Sequence, residues 1–161
     1  MTDWPKPAVT VDLVLRTDEP EPRVLLIRRA HDPFAGHWAL PGGFVDVANE
    51  PDDQGEDLQT AARRELAEET AISPELLDAH DVQLVQVAAI GTPFRDPRQR
   101  VITILYAGVV PTDLIAHTAA GDDAAEATWV PLDAIDRATL AFDHAELLER
   151  GLARLSRERV V

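Results

Sequence analysis

Glu65, Glu68 and Glu69 stand at i, i+3 and i+4 in the stretch "RRELAEET", so on a helix three carboxylates share one face. Like charges at that spacing destabilise a helix by roughly 0.2–0.5 kcal/mol per pair. Either the face is simply solvated, or a cation is wanted there. Magnesium prefers oxygen ligands and binds through a few carboxylates together with substrate phosphates, which suits such a triplet. Arg64, four residues before Glu68, can pair with it or reach another glutamate and fix its rotamer. Just upstream, "LPGGF" sets Gly42 and Gly43 where the backbone can approach closely and offer a carbonyl oxygen.

The element that must carry these acids is legible. From Glu56 to Thr70 there is no Gly or Pro, and Leu58, Ala62 and Leu66 recur every four residues, which predicts a helix. Asp53 followed by Glu56 has the spacing of a capping box at its start. Before it, 8–15 ("AVTVDLVL") and 23–29 ("RVLLIRR") read as strands joined by a polar, proline-bearing loop. "HDPFAGHWALPGGF" is irregular, with a short strand at Trp38–Leu40. After the helix, 82–91 and 100–110 are strand candidates separated by "TPFRDPRQ". A loop, 111–127, leads to a short strand at 128–130, and "PLDAIDRA" suggests a short helix. An amphipathic helix closes the chain from about Asp143 to Arg157, with Ala145, Leu148, Leu152 and Leu155 on one face and Gly151 interrupting it. Strands and helices in this order predict an α/β fold, an α/β/α sandwich around a mixed sheet, in a single domain over 1–161.

Composition narrows the chemistry. Apolar residues make up 45% of the chain, enough for a sizeable core, and no apolar run approaches the ~20 residues of a membrane span. Cysteine is absent, which excludes disulfides and thiolate metal sites. The first residues show no export signal, so the expected location is the cytoplasm, away from membranes. The formal charge of −14 argues against a nucleic-acid partner, which needs a basic face, but allows a small anionic substrate if arginines or a divalent cation offset the field locally.

Gly43, Glu56 and, seven residues later, Arg64-Glu65-Leu66-Ala67-Glu68-Glu69-Thr70-Ala71-Ile72 resemble the Nudix box. That family's pattern is glycine, five residues, glutamate, seven residues, then Arg-Glu-aliphatic-any-Glu-Glu-any-Gly-aliphatic. So many polar positions at matching spacing displace the solvated-face reading. There are two departures. Twelve residues rather than five separate Gly43 from Glu56, a seven-residue insertion that a loop tolerates. The glycine after the helix is Ala71, strained by about 1 kcal/mol if its φ is positive. "HDPFAGHWALPGGF", "FRDPRQRVITILYAGVV", "GDDAAEATWVPL" and "LAFDHAELL" further resemble a Nudix subgroup related to ADP-ribose hydrolases and to regulators of NAD metabolism.

The resemblance implies the Nudix α/β/α fold, dependence on Mg²⁺ or Mn²⁺, and hydrolysis of a nucleoside diphosphate linked to another group, with ADP-ribose giving AMP and ribose 5-phosphate as the leading case. It implies Glu65 and Glu69 as principal metal ligands, joined by Glu68 and the Gly42 carbonyl. Arg64 would orient the glutamates, and Glu56, with Gly43, would tie down the loop. The general base would be a box glutamate or an acid from the late loop, where Asp122, Asp123 and Glu126 stand. Glu126 is favoured, though it can equally cap the strand before Trp129.

In "FRDPR", Phe94 offers stacking on a base, and Arg95 and Arg98 offer phosphate or ribose contacts, the alternative being an Asp-Pro turn with exposed arginines. Trp38 is either core or a substrate platform. His144 either caps the final helix or faces the pocket, and His31 and His37 are loop residues. The same box would serve a nucleoside triphosphate pyrophosphohydrolase that cleanses nucleotide pools. A third reading, a non-catalytic module that senses ADP-ribose and regulates transcription, calls for a DNA-binding extension. The chain ends at Val161 soon after the last helix with its carboxylates intact, so catalysis on a small nucleotide-derived substrate is the expectation, and a homodimer is compatible with it.

Overall fold

The strand that everything else is built around is β1 (Ala8–Thr17), whose residues alternate between two apolar layers. Val11, Leu13 and Leu15 pack in one core cluster and Val14 in the other. A strand covered on both faces needs apolar residues at both parities, which is why "AVTVDLVL" is nearly continuous in hydrophobicity. The computed structural model describes residues 4–48, 50–121 and 124–158.

β1 runs parallel to β6 (Val101–Val110), in register from Ala8 opposite Val101 to Thr17 opposite Val110. The other edge of β1 is shared. β4 (Gly42–Phe44) pairs antiparallel with Thr10–Asp12, and β2 (Arg23–Arg29) pairs antiparallel near Arg16 and then diverges. β2 goes on to pair with β3 (Trp38–Ala39) and β7 (Ala124–Pro131), while β5 (Val85–Ile90) lines the far edge of β6. The split at β1 opens the sheet where Gly42 and Asp12 meet.

Helix α1 (Leu58–Thr70) covers one face of this mixed sheet and α3 (His144–Glu158) the other, so the fold is the expected α/β/α sandwich. Leu66, Ile72 and Leu77 join the first cluster; Leu147, Leu148 and Leu155 join the second. Among the described residues no helix is long and apolar enough to cross a membrane.

Several elements differ from expectation. Helix α1 is capped by Asp57, not Asp53: its carboxylate accepts the Gln59 and Thr60 amides at 2.9 and 3.0 Å. Asp53 instead closes a local turn onto the Gly55 amide. A short helix, α2 (Pro74–Ala79), was not foreseen, although Ser73 at its cap and Pro74 at its first position are the usual start signals. "PLDAIDRA" forms two single 3₁₀ turns, Leu132–Ala134 and Arg137–Thr139. Strand β7 begins at Ala124, four residues early, because pairing with β2 rather than local propensity defines it. Gly151 does not interrupt α3; it brings the helix onto β1, where a Cβ would stand 2.6 Å from the Val14 side chain.

Ala71 ends α1 with φ 62°, the left-handed conformation that suits glycine. Ala71→Gly is therefore expected to stabilise the protein by roughly 0.5–1 kcal/mol. Thermal unfolding checks this, with a rise in Tm of roughly 1–4 °C expected.

Candidate active site

The helical stripe that buries Ala62 and Leu66 continues at Glu69, seven residues after Ala62. Glu69 is thus delivered to an apolar position and is only 6% exposed. Its Oε2 accepts the Gly42 amide at 2.9 Å. Burial pushes its carboxyl up to about 8; the Gly42 amide opposes that shift, and the nearby Glu65 and Asp12 carboxylates reinforce it. Glu65 lies against Gly43, where a Cβ would displace its carboxylate from its present place. Burial raises Glu65 as well, against the pull of Arg64.

Arg64 holds the acids in place. Its Nη2 donates to Glu56 Oε1 at 2.6 Å and to the Phe44 carbonyl at 2.9 Å, and its Nη1 donates to Glu65 at 2.9 Å and Glu68 at 3.0 Å. This contact raises the guanidinium above its ordinary value and holds Glu56 below the usual carboxylate range. The insertion leaves that arrangement untouched. Asp46 and Glu56 close its neck: the Asp46 amide donates to Glu56 Oε1 at 2.9 Å, and the Glu56 amide to the Asp46 carbonyl at 3.1 Å.

These acids line a cavity of about 460 Å³. Arg29, Arg95, Asp96, Arg98 and Phe142 line it too, as do Thr10, Asp12 and His144. Arg29 lies over the Phe142 ring, its Cζ 4.9 Å from the centroid, and Arg98 lies 5.2 Å from the Phe44 and 5.8 Å from the Phe142 centroid. Burial and the neighbouring Arg98 both lower Arg29. Deeper in, Asp12 accepts the Thr103 hydroxyl at 2.5 Å and faces His144 Nε2 at 3.4 Å. His144 Nδ1 accepts the Leu40 amide at 3.0 Å, which puts the proton of the neutral ring on Nε2, toward Asp12. Burial raises Asp12 and lowers His144, each against the pull of the other.

Of the residues singled out in the sequence, Gly42, Gly43, Arg64, Glu65, Glu68, Glu69, Arg95 and Arg98 line this cavity, and Glu56 touches it through Arg64. Three do not. Glu126 lies within β7 opposite Arg28, outside the lining, because the strand extends through the stretch read as loop. Asp122 and Asp123 lie outside the described residues. Phe94 is 94% exposed at a loop tip with φ 64°, and the rings beside the arginines are Phe44 and Phe142 instead. Trp38 packs against the second core cluster. Arg95 lines the cavity, but its fork is engaged by Asp143 at 2.6 and 2.8 Å, so it ties the 94–98 loop to the start of α3.

Asp12, Arg29 and His144 were not read as site residues, although His144 facing the pocket was one of its two readings. An acid alone in the apolar run "VTVDLVL" was the available signal for Asp12. Arg29 had none, since "IRR" at a strand end reads as a solvated terminus.

Among the described residues no three carboxylate or imidazole side chains converge on one point, because Arg64 spans Glu65 and Glu68. The donor set nonetheless fits a hard divalent cation. It is all oxygen, two of its carboxyls are buried beside a glycine pair, and the burial that keeps Glu69 protonated is relieved by positive charge.

A family model described as NUDIX domain matches residues 6–151. The ADPR responsive transcriptional repressor NtrR of Acinetobacter baylyi is 36% identical over 156 residues, 96% of this chain, and the chain spans 57% of that repressor's length. An ADP-ribose pyrophosphatase of Methanocaldococcus jannaschii is 36% identical over 144 residues, 89% of this chain and 72% of the relative. Among solved structures, the NUDIX domain of Shewanella oneidensis NrtR complexed with ADP ribose matches with a TM-score of 0.78 at 31% identity, over 94% of this chain and 90% of that one.

Folded Glu69 keeps its proton up to about pH 8, whereas the unfolded chain releases it near 4.5. The folded state therefore binds more protons across that window, and metal-free protein is expected to lose stability as pH rises through it. Thermal unfolding from pH 4.5 to about 8 should show a fall in Tm that Glu69→Gln flattens. Added Mg²⁺ should stabilise the wild type more at the upper end of the window than at the lower.

Proposed function

This chain belongs to the NUDIX family, and from that premise we propose that it hydrolyses a nucleoside diphosphate linked to a second group, ADP-ribose being split to AMP and ribose 5-phosphate. The observation that carries the reading is a single cavity lined by both charges. Buried Glu69 and half-buried Glu65 stand beside Gly42 and Gly43, and the Arg29 and Arg98 guanidiniums lie against the Phe142 and Phe44 rings. A diphosphate there meets cation-binding carboxylates and cationic side chains at once. Support for ADP-ribose comes from the relatives, one described as an ADP-ribose pyrophosphatase and one solved with ADP ribose.

Glu65 and Glu69, with Glu68 and the Gly42 carbonyl, would hold Mg²⁺ or Mn²⁺. Bound there, the ion would supply neutralisation of the diphosphate and acidify the attacking water. Arg64 keeps the glutamates aimed through its four acceptors. Water adds to one phosphorus as the bridging P–O bond breaks. Arg29 and Arg98 face the charge that gathers on the departing phosphate, preorganised by their rings and by Asp96. Glu126 stands in β7 outside the cavity lining, and among the box glutamates Glu68 is the most exposed, which makes it our choice for the base that takes the water's proton.

A second reading has its own observation: the repressor matches 96% of this chain. As a module that binds ADP-ribose without cleaving it, the same cavity would serve as a sensor. Mg²⁺-dependent release of AMP from ADP-ribose, measured beside NADH, diadenosine polyphosphates, dGTP and 8-oxo-dGTP, separates the readings. Preferred cleavage of ADP-ribose supports hydrolysis, preference for a triphosphate overturns the substrate, and binding without turnover of anything favours the sensor.

Glu69→Gln should lower Mg²⁺-dependent turnover at least about a hundredfold with the unfolding transition retained. Glu126→Gln should leave kcat/KM within about twofold of wild type, as expected for a surface strand position.

A further inference from the structure

Among the described residues, the Thr10 hydroxyl is a buried side-chain polar atom without a hydrogen-bond partner. Thr10 is 8% exposed and lines the cavity. Phe44 of β4 flanks it on one side and Thr103 of β6 on the other, so the adjoining backbone groups belong to strand ladders. The Thr103 hydroxyl is engaged by Asp12 at 2.5 Å. A buried hydroxyl left unpaired costs folding free energy that a valine of the same shape would avoid, and β1 is otherwise rich in valine.

We propose that Thr10 Oγ1 receives a pentose hydroxyl of the substrate, with the sugar lying against Phe44. The inference deepens the function proposed above and rests on its reading of the cavity. The cavity supplies the first support. Thr10 and Glu65 both line it, and Thr10 pairs with Phe44, the residue after Gly43, so Thr10 borders the space proposed for the diphosphate. In nucleotide chemistry the group bonded to a diphosphate is a pentose. The second argument is the lining. Phe44 and Val101 give apolar contact to a sugar's C–H face, and a single hydroxyl both donates and accepts, matching a sugar hydroxyl. Two polar neighbours are already paired, Arg98 with Asp96 and Arg95 with Asp143, which favours a sugar hydroxyl over the edge of a base.

The test is calorimetric binding of ADP-ribose and of ADP, with and without Mg²⁺, to wild type, Thr10→Val and Thr10→Ser, alongside thermal unfolding and AMP release. Thr10→Val should weaken ADP-ribose binding about three- to tenfold while Tm holds or rises, and Thr10→Ser should keep wild-type affinity. Equal weakening for ADP assigns the contact to the nucleoside pentose; weakening for ADP-ribose alone assigns it to the distal one. Wild-type affinity in Thr10→Val makes the hydroxyl a structural orphan and overturns the inference while leaving the function intact. So does equal loss in Thr10→Ser, which would assign the effect to the methyl group. Wild-type protein that neither binds nor cleaves these nucleotides overturns both.

Discussion

Three glutamates crowded on one turn-and-a-half of helix repel one another, and the surrounding structure is arranged around that repulsion. Arg64 answers part of it, contacting Glu65 and Glu68 directly while gripping Glu56 and the Phe44 carbonyl. Through those last two contacts the same guanidinium fixes α1 to β4 and to the closing strut of the insertion. Glu69 lies outside its reach. Placed by helical periodicity among apolar residues, it answers the repulsion by keeping its proton.

The opposite wall is held by a separate set of pairs. Arg95 and Asp143 join the 94–98 loop to the first turn of α3, which brings His144 down onto Asp12 and the Leu40 amide. Asp96 orients Arg98, and Phe142, one residue before Asp143, supports both Arg29 and Arg98. The two walls therefore meet over the gap where β1 exchanges β4 for β2 as its neighbour. Helix α1 brings Glu65, Glu68 and Glu69 with Arg64, β2 brings Arg29, and the β5–β6 connection brings Arg98 with Asp96. The cavity's polarity follows from which elements the split sheet brings to its mouth.

The acidic side of this arrangement was legible because it is local. A helix fixes the relative directions of Glu65, Glu68 and Glu69 from spacing alone, and Arg64 sits on the adjoining turn. Of the other side only Arg95 and Arg98 were legible, because the rest is assembled from residues far apart in sequence. Nothing near Arg29 announces Phe142, and the alternation that marks β1 as a strand is silent on Asp12 meeting His144 across the sandwich. Glu126 was misplaced for a related reason: Ala124–Thr128 has weak strand propensity, and only its pairing with β2 makes it a strand. The Asp53–Glu56 pattern misled because Glu56 is engaged by Arg64, leaving Asp57 to cap the helix. At Ala71 the family pattern raised the question of a positive φ without answering it, and the backbone there takes φ 62°.

The central claim is that Glu69 holds a proton which a divalent cation displaces. Calorimetric titration of Mg²⁺ or Mn²⁺ into metal-free protein near pH 7, repeated in buffers of different ionisation enthalpy, counts the protons released per ion. With the Glu69 carboxyl pushed up to about 8, close to one proton should leave as each ion binds, and Glu69→Gln should abolish that release. Binding without proton release would mean that Glu69 is already ionised, and would contradict the account of why these carboxylates are gathered there.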